Sequence, residues 1–320
     1  MNQAITENEK LAEGYDIIGD IHGEADALER LLNKLGYQLV DDCWQHPLRQ
    51  VIFLGDFIDR GPEQKRVLEI VMPMVKGGYA LAVMGNHEFN ALAFHTPDGQ
   101  GGWLRPHTEK NTSQHQAFLD EYQNTDELRS VLDFFWSLPL WIELDGLRVI
   151  HACWDQRQLK KLEAEHSGQI LTPALLKKAS TKGCWEYDAI ETLLKGVEVP
   201  LPEGHAGFSD KDGTRRFDVR VAWWDGEATT YREAFVGPEA ARPTIPADPT
   251  NGSHLVSYKA QERPLFLGHY WMTGELRLLT SNIACTDYSV AREGGNLVAY
   301  RWSGEAQLSA SNFVSVPQLA

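Results

Sequence analysis

The sequence is poor in cysteine and offers no thiol pattern. Its 320 residues include four cysteines, Cys43, Cys153, Cys184 and Cys285, and none of them forms a C-x-x-C spacing. A disulfide framework or a thiolate metal site is therefore not expected. We predict that all four are ordinary reduced thiols, which proteins usually bury.

Long hydrophobic runs are also missing. No stretch approaches the roughly 18 apolar residues of a membrane span, and residues 1–10 are polar, without the apolar segment of a secretory signal. These absences predict a cytoplasmic protein that does not enter a membrane.

Positive charge is scarce relative to negative charge. Thirty basic residues stand against 45 acidic residues, giving a net charge of -15, which argues against broad binding of nucleic acid or of an anionic membrane. A phosphate-bearing substrate is not excluded, because bound cations and one or two arginines can dominate the local field. The apolar fraction of 42% is ample for a packed core.

The first 90 residues alternate apolar runs with segments of helical spacing. Strands are predicted over 15–19, 51–54 and 80–84, with helices over 24–35 and 63–75 between them. This alternation is typical of βα units and a largely parallel sheet, and so of an α/β fold.

Later segments are less regular. A polar, glycine-containing insertion over 96–123 is interpreted as a lid. A hairpin is predicted to turn at Asp145-Gly146, and 156–195 should be mainly helical. An irregular cap lies within 155–260, densest in Pro, Gly and acidic residues over 200–250, and the sheet resumes after 264. We predict one domain over 1–320 with these two additions.

Each of the first three strands is followed by a short polar cluster. The clusters are G-D-x-H-G at 19–23, G-D-x-x-D-R-G at 55–61 and G-N-H-E at 85–88. Ligands of α/β sheets bind at this edge of the strands. Asp, His and Asn donors suit Mn, Fe or Zn, and a carboxylate can bridge two ions. Singly, each cluster is only suggestive, and Asp20 with His22 could be a helix cap next to a histidine whose hydrogen bonds are satisfied.

Together, the three clusters in this order resemble the calcineurin-like metallophosphoesterase superfamily and its phosphoprotein-phosphatase branch. The resemblance is dense over 15–95 and returns at His151, at Gly268-His269 and in the C-terminal strands. It implies an αββα sandwich, in which two mixed sheets face each other between helices. It also implies two divalent ions, most simply Mn, with Fe or Zn as alternatives.

The resemblance also assigns roles to residues. It implies that Asp56 bridges the ions and that the remaining metal ligands are Asp20, His22, Asn86, His151 and His269. His87 matches the family's catalytic histidine, Asp59 matches its partner, and Arg60 would grip phosphate oxygens. A hydroxide bridging the two ions would attack phosphorus while His87 protonates the leaving oxygen.

Several residues keep two interpretations. Alone, His151 and His269 would be taken as buried core histidines, and only the family order makes them ligands. A second phosphate-binding arginine is expected, and Arg220 is favoured over Arg215 and Arg216, although all three could be solvated. Further side chains are predicted to be structural. Trp223 and Trp224 should pack in the cap, Asp287 should support the site or the fold, and His95, His107 and His115 should be solvated loop histidines.

The resemblance leaves the substrate open. A phosphoserine or phosphothreonine protein phosphatase is the first interpretation, and symmetrical hydrolysis of diadenosine tetraphosphate is the alternative. A catalytically inactive scaffold that binds proteins is a third, but such a chain should have lost ligands, and every expected ligand is present here.

Overall fold

The computed structural model describes residues 13–166, 168–209, 215–252 and 254–319. The polar segment 1–10, used above to predict localisation, lies outside the described residues. The strands are β1 (Gly14–Ile18), β2 (Gln38–Val40), β3 (Cys43–Gln45), β4 (Arg49–Phe53), β5 (Ala80–Ala82), β6 (Trp141–Glu143), β7 (Arg148–Ile150), β8 (Glu198–Pro200), β9 (Phe208–Ser209), β10 (Arg215–Arg216), β11 (Asp218–Arg220), β12 (Leu265–Leu267), β13 (Ile283–Cys285), β14 (Asp287–Tyr288), β15 (Asn296–Trp302) and β16 (Phe313–Pro317).

The helices account for most of the remaining regular structure. They are α1 (Ala25–Leu35), α2 (Gln64–Lys76), α3 (Asn86–Phe94), α4 (Glu109–Tyr122), α5 (Glu127–Ser137), α6 (Gln156–His166), α7 (Pro173–Ala179), α8 (Trp185–Lys195) and α9 (Tyr231–Ala234). Two 3₁₀ turns, Glu239–Thr244 and Ala310–Asn312, complete the described elements.

Two mixed sheets form the centre of the fold. The first has the order β14-β15-β1-β4-β5, with β16 added beside β15. Its strands β1, β4 and β5 are parallel, whereas β15 runs antiparallel to β1. The second has the order β13-β12-β7-β6 and is parallel except for the β6–β7 hairpin.

Alternation along the strands shows how the sheets are stacked. Ile17 and Ile52 of the first sheet share a buried cluster with Val149 and Phe266 of the second. Neighbours along the same strands, such as Ile18, pack instead in the larger cluster that contains the helices. Because successive strand side chains point to opposite faces, the two sheets face each other and helices cover their outer faces. The predicted αββα sandwich is confirmed.

Helix α1 shows why the sequence pattern was informative. Its apolar residues recur at helical spacing, and Leu28, Leu31 and Leu35 are all buried. The helix ends where Gly36 adopts a left-handed conformation, with φ of 92°, which glycine accommodates without a steric penalty.

The two added segments are more ordered than the sequence suggested. Within 96–123, α4 spans Glu109–Tyr122, and its Phe118 and Tyr122 belong to the main core. The segment around 200–250 has a small core of its own, which includes Val219, Phe235 and Ile245. No helix in the described ranges is both long enough and apolar enough to cross a membrane.

Candidate metal centre and catalytic site

The polar clusters meet at one end of the facing sheets. Asp20 and His22 follow β1, Asp56 follows β4, and Asn86 begins α3 after β5. His151 and His269 follow β7 and β12 of the second sheet. Since the carboxyl ends of these parallel strands lie at a common edge, residues distant in sequence come together there.

The first group of donors contains His22, Asp56 and His87. One ligand atom of each lies within 4.8 Å of the others. The Nε2 atom of His22 is 3.7 Å from Oδ2 of Asp56 and 4.0 Å from Oδ2 of Asp20. The structure therefore places Asp20, His22 and Asp56 side by side, as the sequence predicted, with His87 adjoining them.

The second group contains Asp56, His151 and His269, again with ligand atoms within 4.8 Å. Nε2 of His151 lies 3.5 Å from Oδ2 of Asp56 and 3.2 Å from Oδ1 of Asn86. Asp56 belongs to both groups, which is the position expected of a carboxylate that bridges two ions.

The hydrogen bonds of the histidines fit a metal centre. Nδ1 of His22 lies 3.0 Å from the carbonyl oxygen of Ile58, and Nδ1 of His151 lies 2.7 Å from that of Leu54. A carbonyl only accepts, so each Nδ1 carries the proton, and Nε2 of the neutral ring offers a lone pair. Nε2 of His22 and Nε2 of His269 are buried without any hydrogen-bond partner. Buried polar atoms are rarely left unpaired, and this nitrogen and oxygen donor set fits divalent ions.

Burial and neighbouring charges also shift the pKa values of these imidazoles. Burial lowers the pKa of His22 to about 3, with His87 adding to the effect, and lowers the pKa of His269 well below its ordinary value. These rings are therefore neutral, as metal ligands must be. Burial also disfavours the charged form of His151, but Asp56 and Asp20 outweigh it and raise the pKa of His151 to about 10.

His87 and Asp59 form a hydrogen-bonded pair beside the donors. Nδ1 of His87 is 2.5 Å from Oδ2 of Asp59, and Nε2 of His87 is 3.9 Å from Oδ2 of Asp56. Burial alone would lower the pKa of His87, but the carboxylates of Asp56 and Asp59 raise it. The His87 side chain is 13% exposed, whereas that of His22 is 2% exposed, so His87 can reach a molecule arriving from solvent.

Backbone strain is concentrated in these motifs. Positive φ angles occur at His22 (48°), Asp56 (50°), Asp59 (68°), Arg60 (74°) and His269 (70°). Residues with a Cβ rarely adopt this region, and such conformations persist where the surrounding structure fixes them, often at functional sites.

Two motif glycines allow the carboxylates to approach the backbone closely. A Cβ added at Gly85 would collide with Oδ1 of Asp56, and one added at Gly268 would collide with Oδ1 of Asp20. The glycines therefore leave the space in which both carboxylates sit.

The predicted phosphate-binding arginines differ in their surroundings. Arg60 is exposed, and its Cζ lies 4.0 Å from the ring centroid of Trp271. That ring is 5.8 Å from His22. Arg220 is half-buried, with Nε lacking a hydrogen-bond partner and Nη2 3.6 Å from Oε1 of Glu198. Its charge contributes to the lowered pKa of His269, a member of the second donor group.

The structure also places the residues that kept two interpretations. Arg215 and Arg216 are exposed. Trp223 is buried and donates from Nε1 to the Tyr270 hydroxyl at 2.8 Å. It has a packing role, but in the main core and not in the small core of the cap segment. Asp287 is buried and accepts from the backbone N–H of Trp271 at 2.7 Å.

Two residues of the site were not predicted correctly from the sequence: no role was predicted for Glu88, and the role predicted for His115 was wrong. Glu88 accepts hydrogen bonds from three backbone N–H groups, and its place in the G-N-H-E cluster was the available signal. His115 was expected to be a solvated loop histidine, and this is wrong. It lies in α4, is 4% exposed, and places Nδ1 2.8 Å from Oδ1 of Asp59. A polar, weakly amphipathic segment gave no indication of that contact.

Comparison with known families agrees with the fold. Residues 15–164 match the calcineurin-like phosphoesterase family. This match covers just under half of the chain and agrees with the family resemblance drawn from the motifs.

Two curated relatives match part of the chain. Over 138 residues the chain is 35% identical to the asymmetrical bis(5'-nucleosyl)-tetraphosphatase PrpE of Oceanobacillus iheyensis, a match covering 43% of this chain and 54% of that protein. The protein of the same name from Halalkalibacterium halodurans is 46% identical over 74 residues, covering 23% of this chain and 30% of that protein. The chain thus spans about half, or less, of the length of these relatives.

One solved structure reproduces the fold along nearly the whole chain. A variant of a cold-active protein tyrosine phosphatase aligns with a TM-score of 0.50 at 16% identity, covering 93% of this chain and 80% of that one. At this identity the likeness concerns the fold alone.

Proposed function

We propose that this protein is a metal-dependent phosphoesterase that uses two divalent ions. The observation that carries the proposal is the sharing of Asp56 by two groups of donors, the first of which includes His87 with its hydrogen-bonded partner Asp59. A structural metal site would need neither the shared carboxylate nor a hydrogen-bonded histidine that remains open to solvent.

The residues that would hold the ions are Asp20, His22, Asp56, Asn86, His151 and His269. When bound, the ions supply positive charge to the phosphoryl oxygens and acidify a coordinated water. Mn is the first choice for this nitrogen and oxygen donor set, with Fe and Zn as alternatives.

His87 is the proposed general acid. Asp59 accepts a hydrogen bond from Nδ1–H of His87 and so fixes the ring. Nε2 then faces the site and can donate its proton to the leaving oxygen. The raised pKa of His87 favours the protonated form needed for this step. Arg60 would bind phosphate oxygens through its planar guanidinium, and Trp271 beneath it limits the orientations that the guanidinium can take.

For the substrate we favour a dinucleoside polyphosphate over a phosphoprotein. The names of the relatives support this choice.

The test is a product panel on metal-stripped protein resupplied with manganese. Diadenosine tetraphosphate, a phosphothreonine peptide and p-nitrophenyl phosphate are compared at equal concentration, with release of phosphate and nucleotides followed by chromatography. We expect turnover that requires manganese and is fastest with the dinucleotide. ATP with AMP would indicate asymmetrical cleavage, and ADP alone would indicate symmetrical cleavage.

The other outcomes discriminate between the remaining functions. Faster release of phosphate from the peptide would overturn the substrate proposal and restore the protein-phosphatase interpretation. Absence of turnover with Mn, Fe or Zn would overturn the phosphoesterase proposal itself and favour a scaffold.

A further inference from the structure

Asp59 is shared by two histidines from different parts of the chain. Oδ2 lies 2.5 Å from Nδ1 of His87, and Oδ1 lies 2.8 Å from Nδ1 of His115. The backbone N–H of Asp59 also donates to Oε1 of Gln64 at 2.6 Å. Two imidazoles thus hold the carboxylate, and Gln64 holds the backbone of the same residue. His115 comes from α4, outside the three motif loops.

The two imidazole contacts keep Asp59 ionised. Burial would raise the pKa of Asp59, but the hydrogen bonds from His115 and His87 outweigh it and lower that pKa. An ionised carboxylate only accepts, so His115 must carry its proton on Nδ1. Nε2 of His115 is buried without a partner, which suits the neutral ring, because a second N–H there would be a buried donor with no acceptor.

Packing fixes the ring of His115. It stacks on Phe118 with centroids 4.7 Å apart and an interplanar angle of 19°, and the edge of His95 approaches it at 5.8 Å. The Nδ1–H of His115 therefore has one direction in which to point, and that direction is Oδ1 of Asp59.

We propose that His115 is a positioning residue for the general acid, acting through Asp59. With Oδ1 occupied by His115, the carboxylate cannot rotate freely, and Oδ2 remains directed at Nδ1 of His87. Nε2 of His87 is then held towards the donors around Asp56. This inference rests on the proposed phosphoesterase function, because it concerns the proton that His87 delivers.

Leaving groups of graded basicity separate this role from a purely structural one. A leaving oxygen of low basicity departs without protonation, whereas a basic one needs the acid. The full-length manganese-loaded protein is assayed with 2,4-dinitrophenyl, p-nitrophenyl and phenyl phosphate. The variants are His115→Phe, which keeps the stacked ring but loses the donor, and His115→Asn, whose amide nitrogen can replace Nδ1.

We expect His115→Phe to lower kcat for phenyl phosphate by about tenfold or more, a part of what general acid catalysis contributes. The change for 2,4-dinitrophenyl phosphate should be less than about twofold, because that step needs little proton transfer. His115→Asn should restore most of the loss. The control His95→Phe alters a neighbouring ring that has no bond to Asp59 and should leave the leaving-group dependence unchanged.

A second readout does not depend on turnover. In proton NMR spectra of the metal-free protein, the two Nδ1–H protons bound to Asp59 should give separate downfield signals. His115→Phe should remove one signal and shift the other, because the Asp59 carboxylate can then rotate relative to Nδ1 of His87. If His115→Phe does not fold, His115→Gln replaces it, since its longer side chain displaces the amide donor from the Nδ1 position.

The outcomes distinguish this inference from the function on which it rests. Suppose that kcat for phenyl phosphate is much lower in His87→Asn than in the unaltered protein, as expected. If His115→Phe then lowers kcat equally for all three esters, or for none, His115 is only structural and this inference fails while the proposed function stands. If the unaltered protein hydrolyses neither these esters nor diadenosine tetraphosphate with Mn, Fe or Zn, the phosphoesterase proposal fails, and this inference fails with it.

Discussion

The histidines of this site differ in role because their Nδ1 atoms have different partners. Nδ1 of His22 and of His151 faces a backbone carbonyl, so Nε2 is the atom that can bind an ion, in His151 after its proton has been displaced. Nδ1 of His87 faces the carboxylate of Asp59, which stabilises a positive charge on the ring. The proposed roles of these histidines, ligand or general acid, therefore follow from the acceptor that each Nδ1 faces.

Replacing His87 by Asn should separate catalysis from metal binding. Asn can keep the contact with Asp59 but has no Nε2 proton to deliver, so kcat for a basic leaving group should fall by about 100-fold or more. Metal content, measured by inductively coupled plasma mass spectrometry, should remain near that of the unaltered protein.

His269→Asn is the matched comparison, because Nε2 of His269 is buried and unpaired in the metal-free site. This variant should lose bound metal together with activity. Loss of metal from His87→Asn instead would show that His87 is a ligand of the first donor group, where its Nε2 also lies close enough.

At the residue scale, the sequence predicted those parts of the site that lie in short motifs after strands. Asp20, Asp56 and Asn86 could be placed because strand ends of a parallel sheet share an edge. His115 could not, because its contact with Asp59 joins two segments 56 residues apart through the packing of α4, and no local pattern encodes that distance.

At the scale of elements, Glu88 joins two of the motif loops. It lies in the first turn of α3 and accepts from the backbone N–H groups of Gly85 at 3.0 Å, Asp56 at 2.8 Å and Phe57 at 2.9 Å. The loop after β4 is thus tied to the start of α3, and the position of Asp56 depends on this helix.

Glu88→Gln should therefore weaken both fold and site. The amide offers one accepting oxygen instead of two and turns its NH₂ group towards backbone donors, which should lower the free energy of unfolding by about 1–3 kcal/mol. Urea titration measures that change, and manganese titration should show weaker binding as Asp56 shifts.

Glu233→Gln provides the control for this prediction. Glu233 lies in the first turn of α9 and also accepts hydrogen bonds from backbone N–H groups, those of Thr229 and Thr230. Unlike Glu88, it is exposed and lies in the cap segment. Its substitution should leave manganese binding unchanged. Equal loss of metal affinity in both variants would contradict a specific link between Glu88 and Asp56.

The elements that the sequence missed lack a clear hydrophobic period. Helices α1 and α2 were predicted because each has one buried face and one solvated face. Helix α3 was not, since it is buried almost all round, with Glu88, Phe89, Leu92 and Phe94 all inside. The short hairpin β2–β3 was missed because β2 is exposed throughout and therefore shows no alternation.

At the scale of the whole molecule, the centre is an interface between two sheets. The first sheet contributes Asp20, His22 and Asp56, and the second contributes His151 and His269. Periodicity predicted the parallel strands β1, β4 and β5 of the first sheet. No local pattern indicates which histidine after a later strand will face that sheet. Only the family order of the motifs indicated His151 and His269, whose positions depend on the stacking of the sheets.

Metal binding should therefore stabilise the whole fold and depend on pH. In the metal-free site the pKa of His151 is raised to about 10, so below that pH the ring carries a proton that an ion must displace. The sign follows directly, since metal binding releases this proton and apparent affinity rises with pH. For one proton the rise is about tenfold per pH unit between pH 7 and pH 9.

Calorimetric titration of stripped protein with manganese, in buffers of different ionisation enthalpy, counts the protons released, and thermal unfolding should shift upwards as metal is added. His166→Gln alters a histidine that pairs with Glu186 away from the centre and should release the same number of protons. An affinity that does not change between pH 7 and pH 9 would show that His151 is already neutral in the metal-free protein, and that its closeness to Asp56 and Asp20 does not hold a proton there.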